Sequence, residues 1–236
     1  MVNGLKDLPT GHPQLYLDIE GVNLGRNGSI SIVQMYVLQR RHTYLVDVYT
    51  LNEVAFTTAA PDGRTFKDIL EDGEIPKVFF DCRRDSDALF AHFGVRLARV
   101  LDLQLLEVAG TLRGRVSGLF YLIRACESIG TEDKDEWCRI KDVGKQIFNN
   151  GQWEKFNQRP MPAEIRQYCL QDVVFLPILW SVYRAQFDTM SRPTRWARKV
   201  IKSSNDRVAE SQSPDFKDLG WAMAYVPKDW PVDPEW

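Results

Sequence analysis

Near the N-terminus apolar and polar positions alternate; further on they fall into a spacing near 3.6. Leu15-Tyr16-Leu17-Asp18-Ile19-Glu20 reads as a strand, and successive strand side chains point to opposite faces. Leu15, Leu17 and Ile19 then share one face, while Asp18 and Glu20 share the other, roughly 7 Å apart along the chain. A turn carrying Gly21, Asn23, Gly25, Asn27 and Gly28 leads into a second strand pattern over Ser29–Val37. The polar corner Gln39–His42 leads into a third over Thr43–Tyr49. Connections this short join antiparallel neighbours, so a three-stranded meander is expected. Two acids side by side on a strand repel each other. Either water solvates such a pair or a cation neutralises it, and the strand alone leaves both readings open.

Past Asp62 the pattern predicts a short helix over Arg64–Leu70, a strand over Lys77–Phe80 and a helix over Asp85–Phe93 with Gly94 as its C-terminal cap. Val100–Leu101 reads as a further strand, with Asp102 placed to cap a helix through about Ala109. Gly118–Ser128 reads as an apolar helix, Glu132-Asp133-Lys134-Asp135-Glu136 as a solvated loop, and Arg139–Phe156 as mixed, broken at Gly144 and Gly151. A long helix is expected from about Ala163 to about Phe187, opened by Pro162 and bent just after Asp172 by Pro177. Strands followed by alternating helices and strands imply an α/β fold, a mixed sheet with helices on both faces.

Bulk composition adds little to this pattern. The 236 residues can bury one full-sized core, and a formal net charge of -2 announces neither nucleic acid nor an anionic membrane, so any such partner must be read from local patches. Cys82, Cys126, Cys138 and Cys169 form no CxxC pair, which favours reduced thiols over a disulfide framework or a zinc site. The segment Met1–Pro13 lacks the apolar core of a signal peptide, and no apolar run approaches about 18 residues. An intracellular protein with no membrane partner is the expectation.

Three elements carry candidate chemistry: the Asp18/Glu20 pair, Asp85 at the head of its helix, and Tyr168 with Asp172. The last two lie four apart on a helix, so they share a face. Each has an ordinary structural reading, helix capping in the case of Asp85. Their order along the chain adds what none has singly. Asp18-Ile19-Glu20, Asp85 and Tyr168-x-x-x-Asp172 resemble the three motifs of the DEDD superfamily of exonucleases, in the subgroup with tyrosine in the last motif. Gly28–Gln34 and Tyr44–Val48 resemble the second and third strands of ribonuclease D-like and Werner-type 3′–5′ exonuclease domains. Arg84–Leu89 through Gly94 is similar to their second motif, Val100–Gln104 to the segment after it, and Arg159-Pro160-Met161 through Asp172 to the third. Asp87 is the fallback for the second-motif acid.

The resemblance covers roughly Gln14 to Phe187. It implies an N-terminal extension over residues 1–13, an exonuclease domain over 14–187 and a basic, Trp-rich extension over 188–236. It also implies a ribonuclease H-like sheet and hydrolysis of phosphodiester bonds from the 3′ end of single-stranded nucleic acid, RNA somewhat ahead of DNA, releasing nucleoside 5′-monophosphates. Two divalent ions about 4 Å apart, Mg²⁺ or Mn²⁺, suit such chemistry because hard cations take oxygen ligands. By resemblance Asp18 would bridge both ions, Glu20 and Asp172 would complete the first site, Asp85 would hold the second, and Tyr168 would orient the attacking water.

For substrate contact, Arg195, Arg198, Lys199 and Lys202 fall on one helical face opposite Trp196 and Val200, a layout suited either to a phosphate strip or to a solvated amphipathic helix. Arg83 and Arg84 lie close to Asp85 in sequence and could meet a phosphate. Ser203–Ser213 reads as a polar linker, and Leu219–Trp236, with Trp221, Tyr225, Trp230 and Trp236, as a segment docked on the domain. The run Phe79-Phe80-Asp81-Cys82 resembles an Egalitarian-like branch that has lost catalysis, so a weak or inactive RNA-binding or scaffold protein is the alternative expectation.

Overall fold

The computed structural model describes residues 1–5, 8–9, 11–111, 113–190, 192–218, 220 and 222–230. Five strands, β1 (Leu15–Glu20), β2 (Ile32–Val37), β3 (His42–Asp47), β4 (Lys77–Phe79) and β5 (Val100–Asp102), form one sheet in the order β3-β2-β1-β4-β5. β1 pairs antiparallel with β2 and β2 with β3, whereas β1–β4 and β4–β5 are parallel. The meander supplies the antiparallel half, and helical crossovers supply the parallel half, as parallel neighbours require.

The helices are α1 (Val48–Leu51), α2 (Val54–Thr57), α3 (Phe66–Glu71), α4 (Arg83–Phe93), α5 (Leu103–Thr111), α6 (Leu119–Ala125), α7 (Thr131–Asn149), α8 (Ala163–Val174), α9 (Leu176–Thr189) and α10 (Pro193–Ser211). On one face of the sheet Leu15, Leu17 and Ile19 pack with Val33, Met35, Phe66 and Leu89. On the other, Tyr16 and Val78 pack with α5 and α9 through Leu103, Leu106, Leu176 and Leu179. Asp18 and Glu20 continue the face of Tyr16 toward the end of β1, where α8 crosses the sheet. Alternation along one strand thus delivers two carboxylates to a place where a helix covers them.

Three segments depart from the pattern-based expectation. Glu132–Glu136 is not a loop but the start of α7, with Glu132 and Asp133 in the first turn, where acids favour the positive end of the helix dipole. The helix runs straight through Gly144, which is therefore not a break. The expected long helix is two helices: α8 ends at Val174, and Pro177 lies in the first turn of α9, where its missing N–H is not needed. Ser203–Ser213 is not a linker, since α10 continues to Ser211. Ser204 and Ser211 are fully buried and turn their hydroxyls back onto the helix carbonyls of Val200 and Val208. Gly94 takes the left-handed conformation expected of the C-cap of α4.

Beyond α10, Trp230 is buried edge-on against Trp196 and donates its indole N–H to Ser203 Oγ at 3.0 Å. Tyr225 is exposed. Trp221 and Trp236 lie outside the described residues.

Candidate metal centre

The site is assembled around two elements, β1 and α8, with α4 beside them. β1 contributes Asp18 and Glu20, and α8 contributes Tyr168 and Asp172, one turn apart on its buried face with Ile165, Cys169 and Val173. The entry to α8 is fixed by Arg159, whose guanidinium donates to both oxygens of Asp47 at 2.6 and 2.5 Å. That double contact holds the Asp47 carboxyl down to about 2, chiefly through the Arg159 hydrogen bond. The motif around Arg159 thus fastens the start of α8 to the end of β3.

One oxygen from each of Asp18, Glu20 and Asp172 lies within 4.8 Å of the others. Asp85, buried in the first turn of α4, faces the same cluster closely enough that Asp18 raises its proton affinity. The cap position of its helix is Cys82, so Asp85 is not the cap residue. Burial pushes the Asp18 carboxyl up to about 7, Asp172 adds to the rise, and Lys141 draws it back. Glu20 and Asp85 are pushed well above the usual carboxylate range, first by burial and then by the Asp18 charge. Asp172 is raised by burial and partly relieved by Lys141.

Lys141 was not singled out in the sequence. It projects from α7 into the cluster, its ammonium in contact with Asp172 Oδ1 and 3.9 Å from the centre of the Tyr168 ring. Burial alone would lower its proton affinity, but Asp172, Glu20 and Asp18 outweigh burial and hold it above the ordinary lysine range. A signal existed: along α7, Trp137, Ile140, Gly144 and Ile147 are buried, and Lys141 is the cation set among them. Gly144 explains the seat of Tyr168. A Cβ on Gly144 would stand 2.1 Å from Cε2 of the phenol ring, so only glycine lets the ring lie against α7. Burial, followed by Glu20 and Asp172, drives the phenol pKa upward, so Tyr168 keeps its proton.

The other sequence candidates are placed elsewhere. Asp87 pairs with Arg26 through its side chain and backbone at 2.7 and 2.8 Å, and Arg26 in turn donates to the Ser211 and Ser213 carbonyls. Arg83 is buried and committed to Asp81, with both contacts at 2.6 Å, while Arg84 reaches Asp218 at the surface. Neither arginine is brought to the carboxylates by these contacts. On α10, Lys199 bonds Asp229 and Lys202 bonds Asp206, while Arg195 and Arg198 are exposed. Gln34 sits directly across from Asp18 on β2, fully buried beside Cys169.

The residues fit hard divalent cations. The candidate ligands are all carboxylates, and among the described residues Asp85 Oδ1 and both Asp172 oxygens are buried without an aligned hydrogen-bond donor. Buried carboxylate oxygens left this way are costly; Lys141 supplies one positive charge at Asp172, and a metal ion would supply more.

Comparison with known proteins is consistent with this geometry. A family model described as 3′-5′ exonuclease matches residues 2–184. Trypanosoma brucei RNase D, crystallised in complex with RNA U12, superposes with a TM-score of 0.73 at 26% identity, over 93% of this chain and 71% of that one. Escherichia coli RNase D shares the fold, with a TM-score of 0.58 at 18% identity over 86% of this chain and 46% of that one. The mouse piRNA biogenesis protein EXD1 is 36% identical over 89 residues, which is 38% of this chain but only 14% of the mouse protein's length. No described helix is long and apolar enough to cross a membrane. Given a family match that takes in most of its length, this chain belongs to the 3′–5′ exonuclease family.

Proposed function

We propose that the chain is an active, divalent-cation-dependent exonuclease that removes nucleoside 5′-monophosphates from the 3′ end of single-stranded nucleic acid, with RNA ahead of DNA. The observation that carries this reading is the convergence of Asp18, Glu20 and Asp172 within 4.8 Å, with Asp85 beside them and buried oxygens lacking donors. Asp18, Glu20, Asp85 and Asp172 would hold two Mg²⁺ or Mn²⁺ ions. Such ions, when bound, activate water and stabilise both the attacking and the leaving oxygen of an in-line displacement. Tyr168 is suited to orienting that water through its hydroxyl, because a phenol that keeps its proton is a hydrogen-bonding group and not a base. In the hydrolysis a water oxygen bonds to phosphorus, the P–O3′ bond breaks, and the shortened strand leaves with a new 3′-hydroxyl. Arg195 and Arg198 are free to contact phosphates as they stand; Lys199, Lys202, Arg83 and Arg84 would first have to leave their carboxylate partners. The RNA preference is supported by the likeness to the RNA-bound trypanosomal RNase D.

A second reading, a catalytically silent RNA-binding or scaffold protein, is favoured by the ammonium of Lys141 standing among the carboxylates. A digest decides between them. Single-stranded RNA and DNA labelled at the 5′ end, incubated with Mg²⁺ or Mn²⁺, should give a descending ladder that chelator abolishes and Asp18→Ala removes. Internal cuts, or cleavage that survives Asp18→Ala, contradict the active reading. Failure to digest either polymer favours the scaffold.

A further inference from the structure

Four carboxylates converge on this site, and the basic group acting on Asp18, Glu20 and Asp172 among the described residues is Lys141. Its side chain is 15% exposed, so it reaches in from the mouth of the site. No described hydrogen bond to a backbone carbonyl anchors the ammonium. It is held by the Asp172 carboxylate and by the faces of Tyr168 and Trp137, at 3.9 and 5.6 Å from the ring centres. Those are electrostatic contacts on a flexible four-carbon stem, which can be remade a few ångströms away without unfolding anything.

We propose that Lys141 is a resident, displaceable cation: it occupies part of the place of a divalent ion in the metal-free protein and gives up Asp172 when the ion arrives. This rests on the cation-dependent reading above and adds to it that metal loading is an exchange of one cation for another. The consequence is opposite to that expected of a residue that merely supports the site. A supporting lysine, once removed, would weaken metal binding. A competing one, once removed, leaves no resident cation for the metal to displace and so strengthens it. The ammonium touches a carboxylate that would hold the ion, so tightening of about tenfold is a modest demand on this pair.

The test is the binding of Mn²⁺ to wild type and to Lys141→Met, followed through the electron paramagnetic resonance of free Mn²⁺, with far-UV circular dichroism as the check on folding. Lys141→Gln replaces Met if the latter fails to fold. Lys141→Arg keeps the charge and should bind close to wild type. Wild type that binds Mn²⁺, with the neutral variant binding it about tenfold more tightly, is the expected result. Equal or weaker binding by the neutral variant overturns the exchange while leaving the cation site intact. Binding by the variant but not by wild type makes Lys141 a fixed replacement for the ion, which overturns both the exchange and the active reading. Binding by neither overturns both as well. Tighter binding by the variant together with no strand digestion by wild type upholds the exchange and fails the nuclease alone.

Discussion

Two groups of acids lie close together in this protein and are treated in opposite ways. Asp102, fully buried at the end of β5, accepts the backbone N–H groups of Asp81, Cys82 and Gln104 at 3.0–3.2 Å and the Arg207 guanidinium at 2.7 Å. Asp81 is doubly bonded by Arg83, and burial, which would raise its pKa, is outweighed by Arg83 and Arg207, which lower it. In the neighbouring cluster, Asp85 Oδ1 and both Asp172 oxygens are buried without an aligned donor, Asp172 meeting the Lys141 ammonium, and the pKa values of both acids rise. Aspartates sit in both places, and the supply of aligned donors differs. A carboxylate that holds a fold together is saturated by the chain, whereas one that takes a ligand is left short.

The sharpest way to break the comparison is to neutralise one member of each group. Asp18→Asn should cut strand degradation on the order of 10³-fold or more, about 4 kcal/mol of barrier, with no loss in the melting temperature of the metal-free protein. A steady-state rate beside a thermal melt reads both. Arg207→Met should do the reverse. It leaves Asp102 buried without its guanidinium, at about 3–5 kcal/mol of stability in a urea titration, while the rate per folded molecule changes little.

A smaller effect tests the seat of Tyr168. Gly144→Ala pushes a methyl group into the ring, and a displacement of about 1 Å at a positioning group lowers the rate by about 10²-fold. Tyr168→Phe should lower the rate to a similar degree, and the two changes together should cost little more than either alone, since both act through one hydroxyl. Additive losses in that double mutant would detach Gly144 from Tyr168.

The smallest effect is in pH. The Asp18 carboxyl is raised from 3.8 in the unfolded chain to about 7 in the folded one, so the folded state holds the extra proton between those values. Its contribution is fully present below the unfolded value and is lost as pH rises through the folded one. The metal-free protein should therefore melt a few degrees lower at neutral pH than at mildly acidic pH, and Asp18→Asn should flatten that slope. A slope unchanged by the substitution would assign the pH dependence to other groups.

Much of this was legible because period alone determines which face a side chain takes. The alternation in Leu15–Glu20 put both acids on one face, and the spacing of four put Tyr168 above Asp172, before any coordinates. Lys141 was hidden for a physical reason. It follows an acid-rich stretch, Glu132–Glu136, that reads as solvated when charge density is weighed, although α7 is amphipathic and turns Trp137, Ile140 and Ile147 inward. Ser203–Ser213 misled in the same manner. Small hydroxyl side chains signal a linker by composition, yet in α10 they are what permits close packing, because Ser204 and Ser211 bond back onto their own helix. Asp102 was legible as a cap, and its Oδ1 does accept the Gln104 N–H; its partner Arg207, 105 residues away in sequence, was not.

The central claim is that the acid-rich, donor-poor cluster works on a free 3′ end. One single-stranded RNA sequence, prepared as a linear strand with a 3′-hydroxyl and as a covalently closed circle, tests it most directly when both are incubated with the protein and Mn²⁺. Loss of the linear form by single-nucleotide steps, with the circle intact, is the expected result. Opening of the circle, or equal survival of both forms, would contradict it.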